Sequence, residues 1–132
     1  MNTQMQIEAL SVIRPFIQSE LEDMGPNWWT QFVLPHLSHR NQDCAWRLGP
    51  RYIAQMDLAE ALWVLKGNWG AIADRYSLER RYYGLLAHLR YARNAYAHSC
   101  GTPREEWEVY DRIALELLSS LIRKISRDHS PN

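Results

Sequence analysis

Apolar residues recur every three or four positions along most of the chain, which predicts helices rather than strands. No stretch alternates apolar and polar residues for long, and the sequence contains neither an internal repeat nor a low-complexity segment. The pattern therefore predicts an all-α fold. We expect a single-domain up-and-down helical bundle of four to five helices over residues 1–132.

The first predicted helix covers about residues 4–23, and Pro15 inside it should kink or break it. Its apolar positions fall at helical spacing: Ile7, Leu10, Ile13, Ile17 and Leu21. A second, short helix is predicted from Trp28 to about Leu34. Residues 36–51 have the least regular pattern, so we expect a loop with local turns there.

Asp57 is predicted to cap a third helix, from Leu58 to about Lys66, because its carboxylate can accept from N–H groups of the first turn. Gly67-Asn68 then interrupts the pattern. Ser77 is the predicted N-cap of a fourth helix. The apolar stripe of that helix is Tyr82, Leu85, Leu89, Ala92 and Tyr96.

The last predicted helix begins with a capping box and a proline at its first position, in the segment Thr102-Pro103-Arg104-Glu105. It should end at about Ile125. Its apolar stripe is Trp107, Tyr110, Ala114, Leu117, Leu121 and Ile125. Because a short turn joins the fourth helix to the last one, the two should pack as an antiparallel pair.

The composition is that of a folded protein, with 46% hydrophobic residues, 6 Trp and 7 Tyr. Basic and acidic residues number 15 each, which argues against a strongly basic nucleic-acid groove. Arginines are nevertheless concentrated in a stretch whose acid is Glu79: Arg75, Arg80, Arg81, Arg90, Arg93 and Arg104. This stretch is either a local positive patch or a set of solvated faces balanced by acids of neighbouring helices.

Neither a signal segment nor an apolar run of membrane-spanning length is apparent, so we expect a cytoplasmic protein without a membrane partner. Cys44 and Cys100 are far apart and stand in no metal-ligand spacing, which favours two free thiols over a disulfide. His36 and His39 lie three residues apart, but no third metal ligand stands near them.

The segment Arg93-Asn94-Ala95-Tyr96-Ala97-His98 contains the residue types that a metal-free RNA-cleaving site needs. A histidine with a pKa of about 6.5 can move protons at neutral pH. An arginine stays charged and forks onto phosphate oxygens. Such a pair could activate a 2′-hydroxyl and neutralise the charge that builds on phosphorus, without a metal or another cofactor. A structural role is the alternative, since a helix C-terminus favours a cation.

Residues five apart on an ideal helix differ by about 140° around the axis, so Arg93 and His98 do not share a face. Asn94 and His98 do share one, and Arg90 lies one turn earlier on it. Arg93 falls near the edge of the apolar stripe, where an arginine needs an anionic partner: a carboxylate of a neighbouring helix or a substrate phosphate. The poor fit within one chain suggests that two copies complete each other's site in a two-fold dimer.

These residues resemble the HEPN superfamily, all-α domains whose active members are metal-independent endoribonucleases. Arg93-Asn94 and His98, near the end of the helix before the last, carry the resemblance. The block from Asp57 to Trp69 is similar to the Asp-Leu-x-x-Leu-x-x-(Leu/Met)-x-x-Asn-Trp pattern of one bacterial branch, which is akin to the HEPN domain of a nuclear transcript-surveillance endoribonuclease. Two further stretches look like that branch: Arg14-Pro15-Phe16 and Asn27-Trp28-Trp29.

The resemblance implies a bundle that dimerises around a composite RNase cleft and leaves a 2′,3′-cyclic phosphate. Arg93 would contact the scissile phosphate, and His98 would act as general acid or base. Asn94 and Arg90 would bind the substrate. The implied partners are RNA, a second copy of the chain, and an antitoxin or a larger defence protein, in phage defence or a toxin–antitoxin pair. Toxin-type relatives often have a Tyr where this chain has Cys100.

The alternative function is a non-catalytic module of the same fold that binds RNA or protein or that dimerises. The neutral net charge and the missing Tyr favour it. Four tryptophans could stack on bases, although tryptophan at helical positions is more often in a core or an interface: Trp28, Trp29, Trp63 and Trp69. The early acids of the last helix suit its dipole: Glu105, Glu106, Glu108 and Asp111.

Overall fold

A computed structural model describes residues 3–98 and 105–128, with side-chain surroundings for residues 3–89 and 111–128. The described part contains five α-helices and no strand, which confirms the all-α prediction. The helices are α1 (Thr3–Glu22), α2 (His39–Leu48), α3 (Leu58–Tyr76), α4 (Arg81–His98) and α5 (Glu105–Asp128). Between α1 and α3, the chain also forms a π-helical turn (Trp29–Val33) and two 3₁₀ segments (Leu34–His36 and Gly49–Gln55).

Helices α1 and α3 run in the same direction. Arg14 of α1 donates to the carbonyl of Met56, just before α3, and Arg75 near the end of α3 donates to Glu20 near the end of α1. The short helices between them, residues 29–55, therefore return the chain to the other end of the bundle, and we call them the returning limb. Helix α4 follows α3 after residues 77–80 and packs antiparallel to it.

The core lies between α1, α3, α4 and α5. Its largest fully buried side chains come from all four helices and from the position two residues before α3: Ile13, Ile17, Leu21, Met56, Leu58, Leu62, Leu65, Ile72, Leu86, Leu89 and Leu118. Each such side chain stabilises the fold by about 1.5–3 kcal/mol relative to an exposed one. Two members of the predicted stripes are wrong, since Ile7 is 56% exposed and Leu117 is 55% exposed.

Helix α1 continues through Pro15 as a single helix, so the proline does not break it. Pro15 lies on the exposed side of α1, where solvent can satisfy the carbonyl that the missing N–H leaves without an intrahelical partner. None of the helices in the described residues has both the length and the apolar character of a bilayer-spanning segment.

The prediction of a loop over residues 36–51 is wrong, because most of this stretch forms α2 and the 3₁₀ segment after it. Ala45 is the buried residue of α2, so the helix shows almost no apolar periodicity. Two contacts hold it in place: Gln42 donates to the carbonyls of Leu34 and Leu37 over 3.2 and 3.0 Å, and the indole of Trp29 donates to the Ala45 carbonyl over 3.0 Å.

Helix α3 extends to Tyr76, ten residues beyond the predicted end at Lys66. The predicted cap is confirmed, since the Glu60 N–H donates to the Asp57 carboxylate over 2.8 Å. The imidazole of His36 lies directly over Gly67, where an added Cβ would overlap with the ring. Gly67 therefore permits a close contact with the returning limb and does not interrupt the helix.

Ser77 ends α3 instead of starting α4, so its predicted role as an N-cap is wrong. It has a left-handed backbone with φ of 54°, and its N–H donates to the Ala73 carbonyl. This is a common way for a helix to end, although glycine is the usual residue there. Helix α4 begins at Arg81. The predicted start signal of α5 at Thr102-Pro103 lies outside the described residues.

Candidate active site

The four predicted site residues all lie on α4, which stays helical to His98. Arg90, Arg93, Asn94 and His98 occupy its last turns, and their side chains lie outside the described residues. Because α4 runs antiparallel to α3, these turns are at the end of the bundle where α3 begins. The backbone thus brings the motif to one end of the fold.

Buried leucines define the register of α4. Leu86 and Leu89 are fully buried and mark the side of the helix that faces the bundle. Position 93 follows them by seven and four residues, a spacing that returns to the same side of a helix. Position 98 falls about 150° away from that side. Positions 93 and 98 therefore lie on different sides of the α4 backbone, as the spacing predicts for a regular helix.

A histidine–aspartate pair joins α4 to α5 just before the motif. The Nε2 atom of His88 is 3.4 Å from the Oδ1 atom of Asp111, and the His88 side chain is 39% exposed whereas that of Asp111 is 6% exposed. Asp111 is one of the acids that the sequence pattern assigns to the helix dipole, and no sequence motif singles out His88. A signal was present, because Asp111 shares a helix face with the buried Leu115 and Leu118, and a buried carboxylate needs a partner.

Part of the predicted arginine patch is neutralised by neighbouring acids. Arg75 is 2.8 Å from the buried carboxylate of Glu20 and 3.7 Å from the exposed carboxylate of Asp23. The hydrogen bond to Glu20 raises the pKa of Arg75. Burial is the main cause that raises the pKa of Tyr76, and a hydrogen bond to Glu20 raises it further. Arg75 is therefore balanced by acids at the end of a neighbouring helix and does not contribute to a local positive patch.

Three of the four tryptophans that were considered for base stacking are buried: Trp28, Trp29 and Trp69. Trp29 packs edge-on against Tyr52 at a centroid distance of 6.4 Å. Trp63 is partly exposed on α3 and lines a groove with His36 and Asn41. The most exposed tryptophan of the described residues is Trp46, on α2, where a loop was predicted.

Within the described residues, no group of three or more His, Cys, Asp or Glu side chains could hold a metal ion. His36 packs on Gly67, and burial lowers its pKa below the ordinary value of 6.5. His39 is exposed on α2. Cys44 is a free thiol, and Cys100 lies outside the described residues.

The remaining motif residues connect the returning limb to the long helices. Arg14 donates to the Met56 carbonyl over 2.9 Å. The buried amide of Asn68 donates to the carbonyls of Phe32 and Val64, each over 2.8 Å. Trp69 is in the core. The Asp57–Trp69 block therefore defines the fold, whereas Arg93 and His98 are the candidates for chemistry.

The sequence matches the family described as Swt1-like HEPN over residues 8–126, a range that contains all of these motifs. Neither the comparison with curated proteins nor the comparison with solved structures gave a match.

Proposed function

Because the chain belongs to the Swt1-like HEPN family, whose functions are RNA-related, we propose that it is a metal-independent endoribonuclease. The 2′-hydroxyl attacks the adjacent phosphorus, and the products are a 2′,3′-cyclic phosphate and a free 5′-hydroxyl. Arg93 and His98 are the catalytic residues. The observation that carries this proposal is that the family match includes both residues, on a helix that continues to His98 at one end of the bundle.

Each proposed residue has a defined task in this reaction. One general base must accept the 2′-hydroxyl proton, and one general acid must protonate the leaving 5′-oxygen. Arg93 stabilises the charge that develops on the phosphoryl oxygens through charge-assisted hydrogen bonds. Asn94 and Arg90, on the same helix side as His98, bind the substrate. No metal or other cofactor takes part.

A homodimer supplies the second catalytic histidine that a single chain lacks. One chain provides one His98, whereas the reaction needs a base and an acid, and two copies provide two histidines. The different directions of positions 93 and 98 on α4 also favour a site that is completed by a partner. An exposed apolar pair one turn apart on α5, Ile113 and Leu117, is a surface that a second copy could cover.

The biological setting is part of the same proposal. We place the enzyme in the cytoplasm, with residues 1–132 as one domain. Its cleavage of cellular RNA would serve phage defence or a toxin–antitoxin pair. An antitoxin or a larger defence protein would then restrain the enzyme until it is needed.

A non-catalytic module of the same fold, which binds RNA or protein or dimerises, is the second candidate function. Two observations favour it: the formal net charge is zero, and Cys100 stands where toxin-type relatives often have a Tyr. In this case Arg93 would pair with a carboxylate and not with a phosphate.

The test is cleavage of a labelled, mixed-sequence RNA in the presence of EDTA. Wild type should cleave it, Arg93→Ala and His98→Ala should not, and the exposed-site variant Arg127→Ala should behave as wild type. The 5′ fragment should end in a 2′,3′-cyclic phosphate. If no RNA is cleaved while sedimentation shows that all the proteins are folded dimers, the non-catalytic module is the correct reading.

A further inference from the structure

The exposed surface of α2 and of the 3₁₀ segment after it carries a tryptophan and three arginines. Trp46 is 63% exposed, although the neighbouring Ala45 is fully buried and anchors the helix. Arg40 and Arg47 are also exposed on α2, and Arg51 is exposed in the 3₁₀ segment that follows. We call Arg40, Trp46, Arg47 and Arg51 the α2 patch. The exposed ring of Trp46 offers an aromatic face to solvent beside three arginines, and this combination is the one that a ligand with both a flat ring and anionic groups would fit.

The charge of this segment differs from that of the whole chain. Residues 36–55 contain three arginines and one acid, Asp43, which gives a formal charge of +2 in a chain of zero net charge. Asp43 is 3.2 Å from Arg47, but both side chains are strongly exposed. An exposed pair of this kind contributes little, so Arg47 can exchange Asp43 for another anion.

The surroundings of Trp46 favour RNA over a protein as the occupant. The centre of a protein interface is largely apolar and is depleted of charged residues other than arginine. The exposed neighbours of Trp46 on α2 are instead His39, Asp43 and Arg47. Single-stranded nucleic acids bind aromatic side chains through base stacking and bind flanking arginines through their phosphates. A neutral protein can still recognise RNA when its basic residues are concentrated in one place.

We propose that the α2 patch binds single-stranded RNA, with one base stacked on Trp46 and the flanking phosphates held by Arg40, Arg47 and Arg51. This inference rests on the proposed function insofar as it assigns RNA as the ligand. It adds a binding surface outside the Arg93–His98 motif that captures unpaired substrate independently of cleavage.

The experiment measures fluorescence anisotropy of a labelled 12-nucleotide oligouridylate, which has no base-paired structure, in the His98→Ala background so that the RNA stays intact. Trp46→Ala should weaken binding roughly 5- to 150-fold, the range expected for the loss of one base stack. Trp46→Phe should retain most of the affinity because it keeps an aromatic face. A plot of the logarithm of the binding constant against the logarithm of the salt concentration has a slope that counts phosphate contacts. Arg47→Ala should reduce the steepness of this slope by roughly 0.7, as expected for one lost contact to single-stranded phosphate.

Trp63→Ala is the matched control, because it removes the same ring from a partly exposed position on α3. The control should bind within roughly twofold of the parent. Unchanged affinity in Trp46→Ala would overturn the proposal. An equal loss in both tryptophan variants would also overturn it.

The outcomes also separate this proposal from the proposed function. If wild type binds through Trp46 but cleaves no RNA, the α2 patch stands and the endoribonuclease proposal fails. If wild type cleaves RNA and Trp46→Ala changes neither the affinity nor the KM, the endoribonuclease proposal stands and the α2 patch proposal fails.

Discussion

Helices α3 and α4 use their polar residues in different ways. In α3, the polar residues of the family pattern have partners inside the fold: the Asp57 carboxylate caps the helix, and the Asn68 amide holds the Phe32 carbonyl. In α4, Leu86 and Leu89 anchor the helix, and the last turns carry the candidate chemistry. We therefore expect that one block of the family pattern selects the fold and that the other, if the proposed function is correct, selects the reaction; substitutions should distinguish the two.

The largest expected effect separates activity from stability in α4. His98→Ala should lower the rate of RNA cleavage by roughly 10²- to 10⁴-fold, the usual contribution of a general acid or base. Its free energy of unfolding should stay within about 0.5 kcal/mol of wild type, because position 98 falls on the side of α4 away from the buried leucines. Urea unfolding and cleavage, measured on the same samples, test both parts. If His98→Ala loses activity because it unfolds, His98 would stabilise the fold as the α3 residues do, and the difference between α3 and α4 would not hold.

Asn68→Ala should show the opposite behaviour. It removes two hydrogen bonds and leaves the Phe32 carbonyl without its donor, so we expect a loss of about 2–3 kcal/mol in the free energy of unfolding. The exposed Asn27→Ala is the matched control and should change it by less than about 0.5 kcal/mol. Urea denaturation measures both variants. Equal stabilities of the two would show that Asn68 does not fasten the returning limb.

Two glycines of α3 provide a matched pair for the contact with the returning limb. Gly67→Ala should destabilise the protein by about 1–3 kcal/mol, because the new Cβ meets the His36 ring. Gly70→Ala meets no atom within 4 Å and should stabilise the helix by about 0.5–1 kcal/mol. Adding His36→Ala to Gly67→Ala should recover part of the loss. If both glycine variants are stabilised, His36 does not press on α3.

The smallest expected effect is on pH dependence. Burial lowers the pKa of His36 below 6.5 in the folded state, so the unfolded chain takes up a proton first as the pH falls. The neutral ring therefore contributes stability that is fully present above pH 6.5 and is lost as the pH falls below that value. Between pH 7.5 and 5.5, His36→Gln should lose less stability than wild type in urea unfolding. Identical slopes would argue against a half-buried, neutral His36.

The accuracy of the predicted elements depended on how much apolar surface each one buries. Helices α1, α3 and α5 place several large side chains in the core, and their periodicity was visible. Helix α2 buries Ala45 and is held by hydrogen bonds that leave no pattern in the sequence: the Gln42 amide donates to the Leu34 and Leu37 carbonyls, and the Trp29 indole donates to the Ala45 carbonyl. Ser77 was assigned to the wrong helix because its residue type suits an N-cap, and its left-handed backbone is decided by the connection between α3 and α4.

The sequence by itself determined the all-α class, the family and the candidate residues Arg93, Asn94 and His98, because helical periodicity and motif spacing are local properties. Only the tertiary structure decided which polar residues belong to the scaffold. It placed Trp29 in the core and Trp46 in solvent, and it paired His88 with Asp111. Burial and pairing depend on neighbours that are distant in sequence, so residues of one type can receive opposite roles.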